Sequence, residues 1–118
     1  MSSSRRQRVL IVEDERLLAD AMSTALGRYY DVSQAGSVAA AHRFLAGAQF
    51  DVVLCDVRLP DGTVQDVRAI VGDAGPKFVI ITGGDASAAR EANGGAPVVI
   101  KPFDVDELLA VLAELLTP

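Results

Sequence analysis

A single cysteine, Cys55, among 118 residues leaves no internal disulfide to form and no thiolate cluster for a structural zinc site. An excess of positive charge is also missing. Eleven Lys and Arg face sixteen Asp and Glu, for a net charge of −5. A broad nucleic-acid face needs Lys and Arg against the phosphates, so no direct nucleic-acid contact is expected. No apolar run approaches the roughly 20 residues of a membrane span, and membrane insertion is not expected. The start, Met-Ser-Ser-Ser-Arg-Arg-Gln-Arg, carries no apolar core of a signal peptide behind it, so the expected location is cytoplasmic. Repeats, linkers and a second domain are likewise not visible. What is present is an ordinary globular composition. Half the residues are hydrophobic and 23% are charged, which excludes intrinsic disorder. The length suits one domain with a real core.

Apolar residues alternate between two kinds of segment. Arg8 to Val12 is a short β-branched run ending in acids. Leu17, Leu18, Met22, Leu26 and Tyr29 recur at helical spacing. Asp31 to Gln34 is a weaker strand. Ser37 is placed to cap a helix with Val38, Ala41 and Leu45 on its apolar face. Phe50 to Cys55 reads as a buried strand, and Val64, Val67, Ile70 and Val71 as a third helix. Lys77 to Ile81 and Val98 to Ile100 are further apolar strands. The last helix is capped by Asp104, with Glu107 three residues on and Val105, Leu108, Leu109, Leu112, Leu115 and Leu116 along one side. Strands alternating with helices predict a parallel sheet covered on both faces. In such α/β folds the crevice lies beyond the carboxyl ends of the strands. The polar residues there are Glu13, Asp14, Asp56, Thr82 and Lys101.

Three carboxylates converging on one crevice repel each other and ask for a cation. Oxygen-only donors without His or Cys favour a hard ion such as Mg²⁺. Lys101 adds a fixed positive charge and Thr82 a hydroxyl. These are the parts that hold a phosphoryl group, whose negative charge spreads over its equatorial oxygens. An aspartate also serves as a nucleophile in such chemistry, forming an aspartyl phosphate.

Glu13-Asp14 after the first strand, Asp56 after the third, Thr82 after the fourth and Lys101-Pro102-Phe103 after the fifth resemble the receiver domain of bacterial response regulators. The segment Asp56-Val57-Arg58-Leu59-Pro60-Asp61-Gly62 resembles the stretch that follows the family's phosphoacceptor. The resemblance implies a single flavodoxin-like (βα)5 domain, a doubly wound parallel sheet of strand order 2-1-3-4-5. It spans residues 8–118 behind a loose tail at 1–7. It implies Asp56 as phosphoacceptor, with Thr82 bonding a phosphoryl oxygen and Lys101 pairing with its charge. It implies Mg²⁺ held by Glu13, Asp14, Asp56 and the backbone carbonyl of Arg58, and a cis peptide at Lys101–Pro102. The donor it implies is a phosphohistidine on a sensor histidine kinase or a histidine phosphotransfer protein. The downstream partner is another protein, or the domain acts as a phosphate sink, and it is a switch rather than an enzyme with turnover.

Two features depart from the family pattern. Val98 stands where an aromatic residue usually lies, and a valine cannot repeat an aromatic rotation. Thr82 to Lys101 spans 19 positions, about one helical turn short, and Gly83, Gly84, Asn93, Gly94, Gly95 and Pro97 are poor helix material. The expected fourth helix is therefore short or disordered. That pattern is similar to an atypical receiver subgroup associated with HWE-type kinases. Ordering of residues 83–97 would then replace the aromatic switch. Arg58 and Gly84 flank the expected path of an attacking water and point to slow hydrolysis. Alternatives are a receiver fragment of a larger regulator or hybrid kinase, a phosphorylation-independent interaction module, or an aspartate-based phosphatase. The last usually carries a second aspartate where this chain has Arg58. His42 reads as a helix surface residue, Cys55 as an inert core thiol, and Arg5, Arg6 and Arg8 as a solvated tail.

Overall fold

The computed structural model describes residues 6–73, 75–83 and 95–116. Its main sheet consists of β1 (Arg8–Val12), β2 (Asp31–Ala35), β3 (Val52–Asp56), β6 (Lys77–Thr82) and β7 (Val98–Ile100). They pair in parallel in the order β2-β1-β3-β6-β7. This is the expected order, with the numbering displaced by a small antiparallel hairpin, β4 (Arg58–Leu59) and β5 (Gly62–Thr63). Among the described residues four helices accompany the strands: α1 (Arg16–Leu26), α2 (Val38–Gly47), α3 (Val64–Val71) and α4 (Val105–Leu116).

The period-two alternation of strand side chains divides the core in two. Leu10, Val12, Val53, Cys55 and Ile80 point to one face, where Ala41 of α2 and Val64 and Val67 of α3 cover them. Val9, Ile11, Val52, Leu54, Val79 and Ile81 point to the other, beneath Met22 and Leu26 of α1 and Leu108 and Leu112 of α4. Both faces are apolar because both are covered. This is why the strands read as continuous hydrophobic runs.

Local signals explain the helix boundaries. Ser37 is the N-cap of α2, its hydroxyl accepting from the Ala40 N–H at 3.0 Å. Thr63 opens α3 with a capping box: its hydroxyl accepts from the Gln65 N–H, and the Asp66 carboxylate accepts from the Thr63 N–H at 2.9 Å. Gly72 ends α3 at φ 73°, a left-handed conformation that glycine adopts without a Cβ clash.

Several expectations are corrected. Leu17 is 83% exposed, because the inward stripe of α1 runs through Leu18, Met22 and Leu26 and places Leu17 about 100° away around the helix. Tyr29 lies beyond the end of α1 and is exposed; its N–H bonds to the Leu26 carbonyl instead. The β2 strand extends to Ala35, and β3 begins at Val52 rather than Phe50. Val105, expected on the inward side of the last helix, is largely exposed at its first turn. Arg6 and Gln7 are already tied to the body, Arg6 to the Gly27 carbonyl and Gln7 through its own carbonyl to the Asp31 N–H. The expected short fourth helix, its ordering, and Gly84 fall largely on residues 84–94, outside the described residues. Arg5 lies outside them as well.

Candidate functional site

Sheet register sets the site. Val12 pairs with Cys55, so Glu13 and Asp56 leave adjacent parallel strands at the same level. Asp14 follows Glu13 in the turn into α1. On the other side Thr82 ends β6 opposite Ile100, and the Lys101 N–H donates to the Thr82 carbonyl at 2.7 Å. The peptide between Lys101 and Pro102 is cis. The expected residues Glu13, Asp14, Asp56, Thr82 and Lys101 are thus gathered at the carboxyl edge of the sheet.

The side chains meet there. One carboxylate oxygen from each of Glu13, Asp14 and Asp56 lies within 4.8 Å of the others. Lys101 Nζ donates to Glu13 Oε1 at 2.9 Å and to Asp56 Oδ2 at 3.0 Å. The second oxygen of Glu13 accepts from the Glu15 N–H at 3.0 Å, and Asp56 Oδ1 accepts from the Val57 N–H at 2.8 Å. The Glu13 side chain is only 1% exposed and that of Asp56 15%.

Burial pushes the Glu13 carboxyl above its usual range, and the bonds from the Glu15 N–H and Lys101 only partly offset this. Burial alone would lower the Lys101 ammonium, but its bonds to Glu13 and Asp56 outweigh burial and hold it above its ordinary value. One cation among three carboxylates leaves surplus negative charge in a partly desolvated crevice. A donor set made wholly of oxygens, already crowded to one point, fits a hard divalent ion.

Thr82 is buried at the strand end. Arg58 begins the hairpin two residues after Asp56 and has an exposed side chain. Cys55 is fully buried, and burial raises its thiol pKa far above the ordinary value, as an inert core position requires. His42 is exposed on α2. Beside Lys101 an apolar cleft of about 560 Å³ opens between α1 and α4, lined by Leu18, Met22, Phe103 and Val105 among others.

Two roles were not read from the sequence. A Cβ on Gly83 would lie 3.2 Å from Lys101 Cδ, so the missing side chain leaves room for the lysine stem. Asp61 reaches across to α2, its two oxygens accepting from the Val38 and Ala39 N–H groups at 2.7 and 3.0 Å. Sequence gave no separate signal for either, because both depend on what a distant element places beside them.

A family model described as the response regulator receiver domain matches residues 9–113. The chain belongs to the response regulator receiver family. This receiver domain is 36% identical over 115 residues to the probable transcriptional regulatory protein TcrX of Mycobacterium tuberculosis, covering 92% of this chain and 49% of that protein. It is 32% identical to the response regulator protein PilR of Pseudomonas aeruginosa, covering 94% of this chain and 26% of that one. The non-phosphorylated HemR receiver domain from Leptospira biflexa superposes with a TM-score of 0.81 at 28% identity, covering 96% of each chain.

The chain therefore spans about half or less of the length of these curated relatives. Transcriptional regulators and DNA-binding regulators stand among the relatives, so the exclusion of nucleic acid drawn from net charge finds no support in them. The matches reach the family and not the HWE-associated subgroup. Among the described residues, no helix is long and apolar enough to cross a membrane.

Proposed function

We propose that Asp56 accepts a phosphoryl group from a phosphohistidine of a sensor histidine kinase or a histidine phosphotransfer protein. The observation that carries this reading is the gathering of Glu13, Asp14, Asp56 and the Lys101 ammonium at one strand edge. A carboxylate oxygen of Asp56 attacks phosphorus, a P–O bond forms, and the P–N bond breaks with its electron pair returning to the imidazole. Lys101, already within hydrogen-bond distance of Asp56, neutralises charge on the phosphoryl oxygens. Thr82 donates its hydroxyl to one of them. Glu13, Asp14, Asp56 and the carbonyl of Arg58 would hold Mg²⁺, which supplies positive charge against the phosphoryl oxygens. The exposed Arg58 side chain shields the acyl phosphate from water and slows its hydrolysis. The apolar cleft beside Lys101 gives the donor protein a surface next to the acceptor.

The protein acts as a switch in the cytoplasm and passes its state on by protein contact or by draining phosphate from a relay. A second reading is favoured by length: the curated relatives are about twice as long or longer, and on that reading this receiver would be one part of a larger regulator. Incubation with acetyl phosphate and Mg²⁺, followed by intact mass measurement, tests the acceptor assignment. Wild type gains one phosphoryl mass and Asp56→Ala gains none. No gain in wild type, or an equal gain in the variant, overturns the assignment.

A further inference from the structure

Asp61 sits in the two-residue turn of the β4–β5 hairpin, five positions after the acceptor. Its carboxylate does not cap its own neighbouring helix, which Thr63 and Asp66 serve. It grips α2 at two adjacent amides, Val38 at 2.7 Å and Ala39 at 3.0 Å. Ser37 takes the third amide, that of Ala40. Of these three amides in the first turn of α2, the loop that follows Asp56 holds two and the helix's own cap holds one.

The contact is close as well as polar. A Cβ on Gly62 would stand 3.0 Å from Val38 Cγ2, so the hairpin backbone packs directly on the first residue of α2. The path back to the acceptor has little slack. Asp56 Oδ1 accepts from the Val57 N–H, the Val57 carbonyl accepts from the Val64 N–H at 2.9 Å, and each hairpin strand is only two residues long.

We propose that Asp61 is a relay that couples the state of Asp56 to the first turn of α2. The inference rests on the reading of Asp56 as phosphoryl acceptor. The Val57 N–H is shared between Asp56 Oδ1 at 2.8 Å and the Ile81 carbonyl at 3.1 Å, and a new group on the Asp56 carboxylate competes for the first of these. Any shift of Val57 moves the hairpin root. A hairpin gripped at two amides must then carry α2 with it or break both bonds. Coupling of this kind is reciprocal, so a change at α2 would act back on Asp56 through the same contacts. The α2 side is a route of direct contacts between described residues, from Asp56 through Val57 and the hairpin to Val38 and Ala39.

The test is backbone amide NMR of the full chain, with Mg²⁺ and beryllofluoride as a phosphoryl mimic. In wild type the Val57, Val38 and Ala39 amides shift together on addition. In Asp61→Ala the Val57 amide still shifts and the Val38 and Ala39 amides no longer follow. Asp61→Asn keeps one accepting oxygen and gives an intermediate response, which separates loss of the relay from loss of the fold. A Val57 shift without any at Val38 and Ala39 in wild type overturns the relay alone. Equal α2 shifts in wild type and Asp61→Ala do the same. Silence at all three amides in wild type removes the acceptor assignment and the relay with it.

Discussion

At the scale of single residues, charge crowding dominates. Glu13 and Asp56 share one ammonium and Asp14 crowds beside them, an arrangement that favours ligand capture over stability of the unliganded fold. Two unit charges 4 Å apart repel by about 1 kcal/mol even at the dielectric of water, and more in a partly desolvated crevice. Asp14→Asn removes one of these charges while keeping the shape. The variant is expected to unfold at a higher urea concentration than wild type in metal-free buffer, by on the order of 1 kcal/mol. Its Mg²⁺ affinity, measured by calorimetry, falls in the same variant. A loss of stability would mean that Asp14 is held by contacts that outweigh its repulsion.

The residues of this centre were legible in the chain because each stands at the end of an apolar strand, where a parallel sheet places its crevice. Gly83 was not, since its value lies in the Lys101 stem beside it. Thr82 and Arg58 were legible by position, at the end of β6 and two residues after Asp56.

At the scale of elements, the contrast is between caps within a helix and caps from outside it. Ser37 and Thr63 stand one residue before the helices they serve, so local sequence announces them. Asp61 serves α2 from 22 to 23 positions away and gives no local sign. The two N–H groups hold its carboxyl below the ordinary value of 3.8. A group whose folded pKa is depressed stabilises the fold above its unfolded pKa and loses that contribution as pH falls through the folded value. Asp61→Ala is therefore expected to lower the urea midpoint at pH 7. The gap from wild type narrows as the pH is taken below about 4. A gap independent of pH would assign the loss to packing instead of charge.

The same scale explains the misread stretch at α1. Leu17 has the right chemistry for a core and the wrong phase, one residue off the stripe through Leu18, Met22 and Leu26. The two-residue strands of the hairpin are too short for any period to show.

At the scale of the whole molecule, β3 lies at the centre of the sheet between β1 and β6, and both of its faces are covered. Leu54 is fully buried beneath α1 and α4. Leu54→Ala removes several methyl groups from a core that refills poorly, at a cost of about 2–5 kcal/mol. Although Asp56 lies two residues on in the same strand, its bonds run to Val57 and Lys101 and not to Leu54, so the variant is expected to retain phosphoryl uptake where it remains folded. Urea unfolding and intact mass after acetyl phosphate measure the two separately. A loss below 1 kcal/mol would show that the neighbouring side chains close the cavity.

The linear order of residues determined the strand and helix alternation, the two-faced core and the identity of the acidic and basic groups at the strand ends. Those features follow from local periodicity and from the rule that crossovers between parallel strands leave their carboxyl ends on one edge. Only the tertiary structure decided which carboxylates the Lys101 ammonium bridges, that Glu13 is the buried one, and that Asp61 joins the acceptor loop to α2. Each of these depends on the distance between atoms far apart in the chain, which side-chain period cannot encode and which packing alone brings into contact.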